Sequence, residues 1–158
     1  MKLSKDIIHF FEKQGFVIVS TLDESCGSIH CSAKGIGSIT PAGKIYLIDL
    51  YRSKTFRNLQ ANSTVSLTAV DEHHFIGYTL KGKARIIERE KIKNYIIKQW
   101  EERVTARISR RLIKNVRGDK RFARHPEARF PAPQYLIVVE VTAVVDLAPG
   151  QRNQLPKQ

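Results

Sequence analysis

The sequence predicts a mainly β (α+β) protein in which six short antiparallel strands close into a barrel with flanking helices. Short runs of β-branched and apolar residues recur along the chain, separated by tight turns. One of them, residues 77–87, alternates strictly between small or apolar and polar residues, which is typical of a half-buried antiparallel strand. Little helix lies between most of these runs, so a closed barrel is favoured over a parallel sheet, whose strands need long crossover connections.

The elements follow one another with recognisable boundaries. The N-terminal stretch MKLSKDIIHFFEKQG has the pattern of a short amphipathic helix, and FVIVSTL and SIHCSAKGIGSI predict the first two strands around the turn DESCGS. TPAG has proline and glycine at the positions that a type I turn favours, and KIYLIDL is the third strand. SKTFRNLQAN predicts a short helix that Ser53 is able to cap, and TVSLTAV predicts the fourth strand.

The last two strands are separated by a long segment. In the fifth strand, the predicted inner side carries Tyr78, Leu80, Gly82, Ala84 and Ile86. The sixth, YLIVVEVTAVVDL, is predicted to keep Tyr135, Ile137, Val139, Val141, Ala143, Val145 and Leu147 on one face. From about residue 88 to 115, apolar residues recur every four positions, which predicts either a helix with a break near Thr105 or two helices that pack on different surfaces. RGDKRFARHPEARFPAP, residues 117–133, is predicted to be a long loop.

We expect one domain over residues 1–149 and a flexible tail over 150–158, because 158 residues suit a single core. The net charge is +12, and residues 101–130, a basic helical and loop insert, hold ten Lys and Arg against four acidic residues. Such a protein could meet nucleic acid, an acidic membrane surface or anionic small molecules. Nucleic acid is not favoured, because the basic run 103–124 has Phe122 as its single aromatic residue and no known binding motif.

The sequence lacks the patterns of targeting and membrane segments and of several common binding sites. Neither a signal peptide nor a membrane-spanning stretch is predicted, so a cytoplasmic location is expected. Cys26 and Cys31 are too few and wrongly spaced for a zinc site, and no metal is expected. The glycines of GIGSITPAGK match neither a phosphate loop nor a dinucleotide fingerprint, so we interpret them as hairpin or bulge glycines.

The stretch DLYRSKTFRNLQAN indicates an anion site. It brings Arg52, Lys54 and Arg57 together with hydroxyl and amide side chains, and it holds no acidic residue after Asp49. A strand runs directly into the N-terminus of a helix there, where unpaired N–H groups and the helix dipole favour an anion. The alternative is a capped helix that merely carries surface cations.

The order of these motifs resembles the flavin-binding split-barrel family related to pyridoxamine 5′-phosphate oxidase. The resemblance rests on STLDESCGSIHCSAK, on KIYLIDLYRSKTFRNLQANSTVSLTAV and on the G-x-A strand YTLKGKARII, and its most specific part is the Ser-Lys-Thr…Asn-Leu helix. It implies a six-stranded antiparallel split β-barrel. It also implies a homodimer with one FMN in each of two clefts at the subunit interface.

The resemblance further implies which residues bind the cofactor. Arg52, Ser53, Lys54 and Thr55 would hold the FMN phosphate, and Asn58 would brace that corner. Ser32, Ala33 and Lys34 would run beside the isoalloxazine ring, and Leu50 and Tyr51 would line the ribityl path. Lys34 would either stabilise negative charge on the reduced ring or be a plain surface lysine.

An FMN-dependent oxidoreductase with a small-molecule substrate is therefore expected, with NAD(P)H or the substrate itself as electron donor. The C-terminal DLAPGQRNQLPKQ does not match the substrate-binding end of pyridoxamine 5′-phosphate oxidase, so oxidation of vitamin B6 is not expected. Two alternatives stay open. One is a reductase that uses a deazaflavin with a polyanionic tail; the other is a non-catalytic flavin- or anion-binding protein whose basic insert contacts an acidic partner.

Overall fold

The computed structural model describes residues 1–88 and 135–149, together with the single positions 91, 94, 95, 98 and 102. The predicted insert 101–130, except for position 102, the helix break near Thr105 and the tail 150–158 lie outside these residues. Among the residues described, no helix is both long enough and apolar enough to cross a membrane.

Six antiparallel strands form a closed barrel, as predicted. The elements in chain order are α1 (Lys5–Lys13), β1 (Val17–Leu22), β2 (Ile29–Ile39), β3 (Lys44–Asp49), α2 (Lys54–Ala61), β4 (Thr64–Asp71), β5 (Ile76–Glu88) and β6 (Tyr135–Asp146). Around the barrel the strands run β1-β2-β3-β6-β5-β4, and β4 pairs with β1 to close the ring. Closure leaves each strand with two hydrogen-bonded neighbours. The sequence-based assignment of the fold class is confirmed.

The hydrophobic core fills the barrel and extends to α1. The side chains of Val19, Ile45, Leu47, Leu67 and Leu80 are fully buried and alternate with outward-facing residues along their strands. Ser4 caps α1 by accepting a hydrogen bond from the N–H of Ile7 at 3.3 Å. The helix then places Phe11, which has no exposed surface, against the same core.

The predicted inner face of β6 is correct only for its first half. Gly82 pairs with Val141, whereas Lys81 pairs with Ala143, so Thr142 is an extra residue that has no partner on β5. This β-bulge reverses the alternation beyond it, and Val144 then packs on the core. The prediction that Ala143, Val145 and Leu147 share the inner face was therefore wrong: all three are exposed.

Helix α2 lies between β3 and β4 in the chain and packs against β1, β2 and β5. Its buried face consists of Thr55, Phe56, Asn58 and Leu59. Ser53 occupies the N-cap position, but its side chain makes no capping hydrogen bond, so the expected cap by its hydroxyl is absent. The first turn of α2 therefore keeps N–H groups that the Ser53 hydroxyl does not satisfy.

Candidate functional site

The cations predicted to form the anion site gather at the N-terminus of α2, and each contacts a carboxylate. Lys54 Nζ lies 2.6 Å from Asp23 Oδ2, and Arg52 Nη2 lies 2.5 Å from Glu88 Oε2. Arg57 Nε lies 3.3 Å from an oxygen of Glu24. The local sequence after Asp49 has no acidic residue, but carboxylates from other parts of the chain contact all three cations in the folded structure. The side chains of Arg52 and Lys54 remain 52% and 42% exposed, so both can reach solvent.

The carboxylates come from parts of the chain that are distant in sequence. Asp23 and Glu24 begin the turn between β1 and β2, and Glu88 is the last residue of β5. Barrel closure places the β1–β2 turn and the end of β5 beside α2. The signal available in the sequence was the pair of acids in DESCGS, which reads as an ordinary turn unless its position beside the helix is known.

Asp23 is fixed by its own turn. Its Oδ1 accepts hydrogen bonds from the backbone N–H of Ser25 at 2.9 Å and from the Ser25 hydroxyl at 2.6 Å, and the carboxylate is 6% exposed. The hydrogen bond from Lys54, followed by those from Ser25, holds the pKa of Asp23 far below its ordinary value. The same contact with Asp23 raises the pKa of Lys54. Both groups are therefore ionised at neutral pH.

Asn58 joins α2 to the end of β1 and to the turn that follows. Its Nδ2 donates to Thr21 Oγ1 at 2.9 Å, and its Oδ1 accepts from the backbone N–H of Glu24 at 3.2 Å. The side chain has no exposed surface. A buried amide with both ends hydrogen-bonded fixes the distance between helix and turn. Asn58 thus fixes the position of the cation corner, which we define as Arg52, Lys54 and Arg57, relative to β1 and its turn.

A hydroxyl pair links α2 to β2. Ser32 Oγ and Thr55 Oγ1 are 2.9 Å apart, and Thr55 is 1% exposed. Ala33, the next residue on β2, points the other way and is exposed. The structure thus brings Ser32 next to the predicted phosphate corner. The Ser32 hydroxyl contacts the buried Thr55 hydroxyl, whereas Ser53 is exposed at the surface.

Lys34 is neither a surface lysine nor an isolated charge. Its ammonium lies 2.7 Å from Asp49 Oδ1, and the two side chains are 9% and 3% exposed. Tyr135, which is fully buried, donates its hydroxyl proton to the other Asp49 oxygen and lies 3.2 Å from the carbonyl oxygen of Tyr51. Burial, reinforced by the contact with Asp49, raises the pKa of Tyr135, which stays protonated.

Arg52 and the aromatic side chains connect this buried group with the surface corner. The Arg52 guanidinium carbon lies 5.1 Å from the centre of the Phe56 ring, and the Phe56 ring meets Tyr135 edge-on at 4.8 Å between centres. Tyr51 is 58% exposed, whereas Leu50 is half-buried against the small apolar cluster of β3 and β6. Tyr51 and Arg52 therefore present an exposed edge above a rigid base.

A groove of about 380 Å³ crosses the outer face of the barrel. Its apolar walls include Leu22 and Ile29, and exposed Lys81 and Lys83 lie among hydroxyl side chains along its length. Ile29 is 72% exposed. The groove is distinct from the cation corner, although both involve the end of β1.

The cysteines and two of the histidines are the other candidate groups, and Cys26 belongs to the same turn as Asp23. Cys26 and Cys31 are free and exposed, and a hydrogen bond with Ser28 lowers the pKa of Cys26. His73 and His74 are exposed, and His74 Nδ1 lies 2.9 Å from Asp71 Oδ2. Within the part of the chain that is described, no three His, Cys, Asp or Glu side chains are placed to hold a metal ion.

The family is decided by a match along most of the chain. The sequence model of the pyridoxamine 5′-phosphate oxidase family matches residues 3–143, which include the whole barrel up to the bulge in β6. The chain belongs to this family. The resemblance seen in the strand and helix motifs is thereby confirmed. No curated protein sequence is significantly similar to this family member.

Solved structures of the same fold have different functions. HupZ of Group A Streptococcus is 15% identical with a TM-score of 0.63, over 94% of this chain and 96% of that one. HutZ of Vibrio cholerae, a heme storage protein, is 15% identical with a TM-score of 0.59, over 92% and 94%. An F420 reductase is 14% identical with a TM-score of 0.56, over 90% and 98%. At these identities the likeness is one of fold.

Proposed function

We propose that this protein binds FMN and is an FMN-dependent oxidoreductase. The observation that carries the proposal is the corner at the N-terminus of α2. There, the partly exposed side chains of Arg52 and Lys54 flank Ser53, whose hydroxyl makes no capping hydrogen bond. The chain that carries this corner is a member of the pyridoxamine 5′-phosphate oxidase family. A phosphate monoester is an acceptor of hydrogen bonds with close to two negative charges, and this corner is rich in donors.

The donor set fits a phosphate at the surface rather than a buried one. Thr55 is engaged with Ser32 and is buried, so its contribution is to fix the helix against β2. Arg52, Ser53 and Lys54 would make the direct contacts. Asn58 would keep these groups at a constant distance from β1. Charge-assisted hydrogen bonds contribute about 1.5–3 kcal/mol each, so two or three are sufficient to select a phosphorylated flavin.

The remaining predicted residues would line the rest of the cofactor. Exposed Tyr51 and half-buried Leu50 would flank the ribityl chain, and β2 from Ser32 to Lys34 would run beside the ring. Bound FMN supplies hydride and electron transfer. Lys34 would act on the ring only together with Asp49, because the carboxylate balances its charge. NAD(P)H is the proposed electron donor, and a small molecule the acceptor.

We also propose that the protein is a homodimer with the flavin at the subunit interface. The outer face of the barrel supports this proposal, because exposed Leu22 and Ile29 line the groove, and Ile18 on β1 and Val145 on β6 are also exposed. Apolar side chains of this size, clustered on one sheet face, are typical of a surface that a partner covers.

A deazaflavin is the second candidate cofactor. The net charge of +12 suits a cofactor with a polyanionic tail, and an F420 reductase has the same fold. Heme is the third ligand to be tested, because HutZ also shares the fold. A non-catalytic anion-binding protein, with the basic residues 101–130 binding an acidic partner, would bind a phosphorylated ligand without turnover.

The test is a titration of the purified protein with FMN, riboflavin, a deazaflavin and heme, followed by absorbance and fluorescence. We expect FMN to bind in preference to riboflavin, and bound FMN to be bleached by NAD(P)H without oxygen. Lys54→Met should weaken FMN binding about tenfold or more, from the loss of one charge-assisted contact, and leave riboflavin binding unchanged. Lys44→Met is the matched control, because Lys44 also faces a carboxylate, Glu140, at 3.9 Å.

Two results would contradict the proposal. One is FMN binding that is undetectable at 100-fold the protein concentration. The other is FMN binding that Lys54→Met and Lys44→Met reduce equally. Tight heme binding with a Soret band, without flavin binding, would replace flavin by heme as the ligand.

A further inference from the structure

Among the residues that the structure describes, the cations of the corner proposed to hold the flavin phosphate are matched one for one by carboxylates. Each of its three cations meets one carboxylate, at 2.5 Å for Arg52, 2.6 Å for Lys54 and 3.3 Å for Arg57. An incoming phosphate group therefore does not find free cations. It has to compete with carboxylates that already occupy the donors.

The three carboxylates are not equivalent competitors. Glu24 and Glu88 are 38% and 41% exposed, and their longer side chains can turn into solvent when an anion arrives. Asp23 is 6% exposed, and Ser25 holds one of its oxygens with two hydrogen bonds. Leaving Lys54 by rotation would break both of them. Asp23 is thus the one of the three that stays in place.

The turn that carries Asp23 cannot swing away easily either. The backbone N–H of the next residue, Glu24, donates to Asn58 Oδ1 at 3.2 Å, and Asn58 is fully buried. A second bond from Asn58, to Thr21, fixes that amide in turn. The movable partner is Lys54, whose side chain is 42% exposed. Lys54 must therefore be shared between Asp23 and any bound anion.

We propose that Asp23 is a built-in competitor of the ligand's phosphate group and sets how strongly the site prefers FMN to riboflavin. The inference rests on the proposed flavin function, because it concerns the same corner. Asp23 lowers the affinity for the phosphate by holding one of its donors, and it does not act on the neutral part of the flavin. Its effect is moderate, since an ion pair with one solvent-exposed partner is weak enough for a phosphate to displace.

The decisive variant is Asp23→Asn. The amide retains an oxygen that accepts both hydrogen bonds from Ser25, so the turn is preserved, while the oxygen facing Lys54 becomes an NH₂ group that cannot pair with it. We expect FMN to bind about fivefold more tightly and riboflavin to bind unchanged, in isothermal titration at low salt. Unchanged or weaker FMN binding would overturn the proposal, because Asp23 would then merely position Lys54.

A matched control separates a local effect from a change in net charge. Asp71→Asn raises the net charge by the same amount in a similar turn, where Asp71 accepts hydrogen bonds from the backbone N–H groups of His73 and His74. Asp71 is at the opposite end of β4 from α2. We expect no gain in FMN affinity from this variant. An equal gain from both variants would refute a specific role of Asp23.

A second variant and a second probe complete the test. In Asp23→Asn/Lys54→Met the gain should vanish, because the released cation is absent; a gain that persists would contradict the sharing of Lys54.

If no flavin binds to any of these proteins, the flavin proposal fails, and pyrophosphate serves as the probe. Thermal stabilisation by pyrophosphate, at matched ionic strength, should then be larger for Asp23→Asn than for the unchanged protein. Equal stabilisation would reject the competitor role itself.

Discussion

Removal of the Asp49 carboxylate tests the buried group beneath the cation corner. In Asp49→Ala, the Lys34 ammonium, which is 9% exposed, loses its carboxylate partner at 2.7 Å. Breaking a buried ion pair from one side destabilises a protein by about 3–5 kcal/mol. The Tyr135 hydroxyl adds little to this loss, because it keeps the Tyr51 carbonyl as an acceptor at 3.2 Å.

The assay is urea unfolding followed by circular dichroism, with the free energy of unfolding extrapolated to water. A loss of about 3–5 kcal/mol is a large part of the total for a domain of this size. The double variant Lys34→Met/Asp49→Leu should recover most of it, because an apolar pair of similar volume leaves no buried charge. Glu140→Ala, which removes an exposed ion pair at 3.9 Å, should change the free energy by less than about 1 kcal/mol. A loss below about 1 kcal/mol for Asp49→Ala would refute the reasoning, provided that the free energy of unfolding depends on urea concentration as steeply as in the unchanged protein.

Three further predictions concern the corner, the bulge and acid stability. Asn58→Ala should lower the free energy of unfolding by about 1–3 kcal/mol in the same assay, since Thr21 loses its buried partner. Gly82→Ala should destabilise by more than about 1 kcal/mol, because an added Cβ would overlap the carbonyl oxygen of Glu140; a neutral effect would show that β6 moves freely there. The folded pKa of Asp23 lies below its ordinary value of 3.8, so its stabilisation is present above that pH and is lost as the pH falls below it. The free-energy difference between the unchanged protein and Asp23→Asn should therefore shrink between about pH 5 and pH 2, and a constant difference would contradict the shift.

The barrel could be predicted because its signals are local. The alternation along β5 reports directly which side chains face the core, and turn residues mark the ends of the first three strands. The end of β6 was not predictable in the same way. Its apolar residues continue through Thr142, and the bulge depends on how β5 and β6 pair, which composition does not reveal.

The candidate site was predictable only in part, for the same physical reason. Lys54 and Asn58 belong to one short helix and could be found together in the sequence. The partners that determine their chemistry, Asp23 and Thr21, belong to another strand and its turn. Contacts between side chains far apart in sequence arise from closure of the sheet. Ion pairs of that kind leave no periodic pattern along the chain.

Glu88, the last residue of β5, pairs with Tyr135, the first residue of β6. The chain leaves β5 and enters β6 at these two paired positions, so they are neighbours on the barrel. Both residues are also part of the candidate site, because Glu88 contacts Arg52 and Tyr135 contacts Asp49. A substitution of either residue would thus affect both the β5–β6 pair and the contacts of the cation corner. Relatives built on one scaffold could diverge in ligand choice by that route.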